Sequence, residues 1–135
     1  MLDIKRIRDD FDNVKKAVES RGQGDFGIDK VLEYDKKRRA LLAEVEQMKN
    51  RQSVSSRQIP VMKKEGKDTS QLMAEMKKLS EEIKALDAQV SQVEADLRDA
   101  LLNVPNTPYK DVQVGADDSA NVELRKWGEP REFDF

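Results

Sequence analysis

Two stretches of this chain repeat an apolar position at alternating steps of three and four residues, and a short glycine-containing break separates them. In the first stretch the repeating positions are Val31, Tyr34, Arg38, Leu41, Val45, Met48, Gln52, Ser55, Ile59 and Met62. In the second they are Leu72, Met76, Leu79, Ile83, Leu86, Val90, Val93, Leu97 and Leu101. A mean step of 3.5 residues is the signature of helices that supercoil about one another. The intervening Glu65-Gly66-Lys67-Asp68-Thr69 is too short for anything but an antiparallel return. Glycine suits the end of the first helix, and Asp68 with Gln71 three residues later resembles a capping box for the second. Folding about this point pairs Met62 with Leu72, Met48 with Leu86, Val45 with Val90 and Arg38 with Leu97, each pair having nearly the same sum of residue numbers. The spacing therefore predicts arms of equal length, roughly 50 Å each at 1.5 Å per residue.

Composition agrees with a narrow core. Hydrophobic residues make up 37% of the 135 and charged residues 39%, with one tryptophan, Trp127. That is too little apolar surface for a round globule, and without the periodicity it would suggest disorder. Leu2, Ile4, Ile7, Phe11, Val14 and Val18 mark one face of a further amphipathic helix, taken as a single element over 1–22 and ended by Gly22, Gly24 and Gly27. The expected fold is all-α: a long antiparallel two-helix coiled-coil hairpin with an N-terminal helix at its base and a short extended C-terminal segment. The arms span 28–64 and 69–103. Within the first arm, Pro60 predicts a kink or stop near residue 59, because proline lacks the N–H that Ser56 would accept. Gln52 and Ser55 weaken the seam nearby, so the far end of the hairpin is expected to be its most mobile part. Residues 104–135 read as a linker, with a short strand in the NVELRKWGEPREFDF run; Trp127, Phe133 and Phe135 either fold back on the base or dock against a further domain.

Chemistry has few footholds here. The chain contains no cysteine and no histidine, which excludes thiol nucleophiles, disulfides, imidazole acid–base catalysis and the usual structural zinc sites. Asp9, Asp10 and Asp12, like Asp117 and Asp118, lack the spacing of a calcium loop and read as solvated charges. The expectation is no catalytic residue, no metal ligand and no cofactor on this chain. No apolar run approaches a membrane span and no signal-type leader is visible, so a cytoplasmic protein without a membrane partner is expected.

Charge is distributed unevenly over the arms. Residues 49–67 hold Lys49, Arg51, Arg57, Lys63, Lys64 and Lys67 against Glu65 alone, whereas acidic residues outnumber basic ones along the second arm. A cationic tip on a long lever suits a phosphate backbone, which lysine and arginine position without reading sequence. On an RNA duplex such a rod would meet shape and 2′-hydroxyls more than bases. The alternative is a non-catalytic protein-interaction coiled coil, chaperone-like or a spacer, for which Val61 and Met62 would supply apolar contacts.

MLDIKRIRDDFDNVKKAV, VLEYDKKRRALLAEVE, LRDALLNVPNTP and NVELRKWGEPREFDF, in that order and at compatible spacing, resemble the N-terminal tRNA-binding region of bacterial seryl-tRNA synthetases. The resemblance runs over essentially the whole chain. It implies a helical domain over 1–103 whose coiled-coil arm holds the long variable arm of tRNA(Ser), and of tRNA(Sec) where that exists, with no DNA partner. It also implies a parent enzyme that is a homodimeric class II ligase using ATP and magnesium, with a catalytic domain following residue 135. The candidate tRNA contacts, Lys49, Arg51, Arg57, Lys63, Lys64 and Lys67, rest on position and charge.

Overall fold

In the computed structural model, which describes residues 1–22 and 24–134, the two heptad stretches form two long helices. These are α3, Ile28–Lys64, and α4, Ser70–Asn103; two short helices precede them, α1, Ile4–Asp9, and α2, Phe11–Glu19. The long pair lies antiparallel, and every seam position of the sequence pattern is buried or half-buried in both helices. Cross-arm ion pairs fix the register independently. Arg38 Nε donates to Glu94 Oε1 at 2.8 Å, and Lys49 Nζ reaches Asp87 Oδ1 at 3.0 Å. At 1.5 Å per residue, α3 is about 55 Å long.

The turn at the far end is built on one residue. Gly66 has φ +70°, a left-handed conformation that L side chains rarely adopt. It lets the Lys67 N–H bond the Met62 carbonyl at 3.0 Å and the Gly66 N–H bond that of Lys63 at 3.2 Å. This pair of bonds is the Schellman pattern, which satisfies carbonyls left over at a helix end. The expected capping box is replaced by a tighter device. Asp68 Oδ1 accepts from the Ser70 hydroxyl at 2.6 Å and the Ser70 N–H at 2.9 Å, while Gln71 bonds Glu75 on its own helix.

Three expectations need revision. The N-terminal segment is two helices, because Asp10, at φ −138° and ψ 49°, leaves helical geometry. Asp10 still accepts the Val14 N–H through its carbonyl at 3.0 Å and the Asn13 amide through its side chain at 2.7 Å, so the break begins α2. Ile7, Val14 and Val18 remain on one buried side across it. Second, of the kink or stop expected near residue 59 the stop does not occur: α3 passes through Pro60 and ends only at Lys64. Pro60 and Ser56 are both exposed, so water can serve the Ser56 carbonyl that the ring deprives of its donor. Third, no strand forms among the described residues. Residues 121–134 are exposed and irregular, with a bend at Gly128, and Trp127 is 94% accessible. Phe135 lies outside the described residues.

The apolar core is concentrated at one end. Leu2, Ile7, Val14 and Val18 pack with Ile28 and Val31 at the start of α3 and with Leu97, Leu101 and Val104 around the end of α4. Beyond Val45 and Ile83 the seam is only half-buried, because two helices alone cannot enclose it. The base is thus anchored by four helices, and the outer arm projects from it.

Candidate nucleic-acid interface

Helical phase decides where each cation points. Seam residues face α4, so the positions next to the seam form two flanks and those opposite it form an outer ridge. Lys49 and Lys63 project from one flank of α3, where Lys49 meets Asp87. Arg51 projects from the other. There it lines a shallow groove with Ser55, Glu75, Met76, Lys78, Leu79 and Glu82. Arg57 and Lys64 stand on the ridge, and Lys67 lies in the turn, 2.7 Å from Glu65 Oε2.

The six cations expected to act together are therefore not one patch. Lys49, Lys63, Arg57 and Lys64 share a contiguous sector; Arg51 looks the other way, toward carboxylates. Arg51, Arg57, Lys63 and Lys64 are exposed and have no ion-pair partner among the described residues. Their charge is available to a ligand, whereas Lys49 and Lys67 must first exchange an exposed carboxylate, a step that costs little for pairs in water. Hydrogen bonds from the Ser70 hydroxyl and then its N–H hold the Asp68 carboxyl below the ordinary aspartate range, keeping it ionised beside the turn.

A second charged cluster, invisible as such in the sequence, orients the base of the arm. Asp35 is 1% exposed, and its Oδ2 accepts from Arg39 Nε at 2.9 Å and Arg8 Nη1 at 3.4 Å. Arg8 belongs to α1, so this carboxylate ties the N-terminal helices to α3. Lys15 of α2 makes a parallel tie to Asp29, at 2.7 Å, and the hydrogen bond to Asp29 raises the lysine above its ordinary pKa. Nothing in the sequence distinguished Asp35 from other charged residues, since its partner Arg8 lies in a different element. The one available signal was its place beside the seam, next to Tyr34.

The family model of the seryl-tRNA synthetase N-terminal domain matches residues 1–108. The chain belongs to that family. The serine–tRNA ligase of Alkaliphilus oremlandii is 53% identical over 135 residues, and that of Finegoldia magna 49%. Each match takes in the whole of this chain and 32% of the relative, so the chain spans about a third of their length. Among solved structures, the Pyrococcus horikoshii seryl-tRNA synthetase complexed with ATP superposes with a TM-score of 0.81 at 27% identity, over 95% of this chain and 29% of that one.

Proposed function

We propose that residues 1–103 are the tRNA-holding domain of a serine–tRNA ligase, with 104–135 leading to a catalytic domain carried by the rest of that protein. In this reading the arm lies along the long variable arm of tRNA(Ser), or of tRNA(Sec) where present, while the acceptor end reaches the catalytic domain. The full enzyme acts in the cytoplasm as a homodimer. One observation carries the reading: in a chain of this family, unpaired cations sit on the outer part of a 37-residue helix whose inner end is anchored in a core. Lysine and arginine there supply sequence-independent phosphate contacts, so the lever selects a shape and holds it at a fixed distance from the base.

In this reading serine activation belongs to the catalytic domain and not to these residues. Among the described residues no group of three His, Cys, Asp or Glu side chains could hold a metal, and no glycine-rich loop cradles a phosphate. In this reading ATP and magnesium belong with the proposed catalytic part. No described helix is long and apolar enough to cross a membrane.

Binding of an in vitro transcribed tRNA with a long variable arm tests this reading, with a short-armed tRNA as control. The long-armed tRNA is expected to bind more tightly, with log affinity falling steeply against log salt. Equal, salt-independent binding of both would favour a protein-interaction coiled coil instead.

A further inference from the structure

The two flanks of the outer arm differ in charge, and the cross-arm pairs show which residues of α4 share each flank with α3. Lys49 meets Asp87 and Arg38 meets Glu94 across the same side. Positions one heptad apart repeat on that side, and so do those three or four residues from it away from the seam. The Lys49 flank therefore carries Lys49 and Lys63 from α3 and Lys77 and Lys84 from α4, all exposed. Over the outer arm its carboxylates are Asp87, bound to Lys49, and Glu46, three residues before Lys49, both at the inner edge; Glu81 stands on the adjoining ridge of α4. Lys63, Lys77 and Lys84 have no ion-pair partner among the described residues. The Arg51 flank is different. It holds Glu75 and Glu82 against Arg51 and Lys78, and Lys78 lies 3.9 Å from Glu82.

We propose that RNA lies along the Lys49 flank and not along the Arg51 flank, with Lys63, Lys77 and Lys84 as phosphate contacts and Arg57 and Lys64 bordering them on the ridge. This rests on the reading of the chain as a tRNA binder and deepens it by assigning the face and adding two residues from α4. Folding about Gly66 brings Lys84 level with Lys49 and Lys77 level with Arg57, while Lys63 stands nearest the turn. Cations thus recur about every 10 Å along roughly 20 Å of arm. Lysines so far apart cannot converge on one small anion, whereas a polymer backbone offers each its own phosphate. Ser53, Ser56 and Ser80, exposed between them, supply hydroxyls of the kind that bond phosphate oxygens or 2′-hydroxyls.

Two charge-reversed proteins separate the faces: Lys63→Glu/Lys77→Glu/Lys84→Glu, and Arg51→Glu/Lys78→Glu. Each is titrated against the long-armed tRNA over a salt series. The lysine triple is expected to lose about a thousandfold in affinity, at roughly tenfold per lost charge-assisted contact, and its salt slope should fall by about two to three. The Arg51 pair should stay within about threefold, because no phosphate faces it. A Lys→Gln triple, checked for unchanged helicity by circular dichroism, decides the matter if the Glu triple does not fold. Equal losses on both flanks, or a loss confined to the Arg51 pair, overturn the assignment of the face. So does a folded triple that binds like the parent chain. In all three cases parent binding remains, and the tRNA reading stands. If the parent chain shows no salt-dependent preference for the long-armed tRNA, that reading falls, and the face assignment with it.

Discussion

Asp35 ties the N-terminal helices to the base of the arm through charge. Removing one partner of a buried ion pair costs about 3–5 kcal/mol when the other charge is stranded. Here Arg8 and Arg39 keep 32% and 49% of their side chains in water, so they can rehydrate. Asp35→Ala should therefore destabilise the fold by about 2 kcal/mol, seen as a lower urea midpoint at unchanged slope. An unmoved midpoint would show that the carboxylate ties nothing. At the other end, Asp68 makes the turn acid-sensitive. Its folded pKa is lowered, so its contribution is fully present above the ordinary aspartate value and is lost as pH falls through the depressed one. An NMR titration should show the Ser70 amide resonance moving through that acid range in the parent and staying level in Asp68→Asn. Neither role was legible in the sequence. The side chain of Asp68 had to choose between Gln71 and Ser70, and the closer Ser70 offered two donors.

The helices were largely legible, and the breaks within them were not. Each seam residue stands at a step of three or four, so a burial pattern distributed over nineteen positions survives local exceptions such as Arg38 and Ser55. The break at Asp10 left no such trace, because the apolar face continues across it from Ile7 to Val14. Pro60 misled in the opposite direction: its local cost is real, but Val61, Met62 and Lys63 still gain helical bonds and a seam contact beyond it. Pro60→Ala should accordingly stabilise the outer arm by roughly 1–2 kcal/mol, less than the interior value because the helix end is only one turn away. Gly66→Ala should cost about 1 kcal/mol from backbone strain alone, since an added Cβ there meets nothing within 4 Å. Thermal unfolding followed by circular dichroism measures both. Burial also predicts a gradient along the seam. Ile83→Ala, at a 7% exposed position, should cost about 3 kcal/mol, and Leu72→Ala, half-buried near the turn, about 1. Equal costs would mean that the outer arm is enclosed more tightly than two helices allow.

At the scale of the molecule, the base carries the core and the arm carries the exposed cations, so the two should be separable. Replacing residues 46–89 by a short turn joins Val45 to Val90, which already face each other, and leaves the cluster from Leu2 to Val104 intact. The shortened protein should keep its helical base by circular dichroism and lose salt-dependent tRNA binding; retained affinity would move the interface to the base. The candidate interface was legible only in part, because charge counts along a sequence locate a cationic region but not its face. That awaited the register, which sets Arg51 among glutamates and brings Lys77 and Lys84 beside Lys49. The same register constrains how such a protein can be lengthened. A heptad inserted into α3 alone would shift every outer seam residue against its opposite number, and the surplus would have to bulge out at the glycine turn. Extensions are tolerated only as matched insertions, seven residues outbound and seven on the return. The reach of the arm is thus quantised in steps of about 10 Å, whatever the length of the nucleic acid it meets.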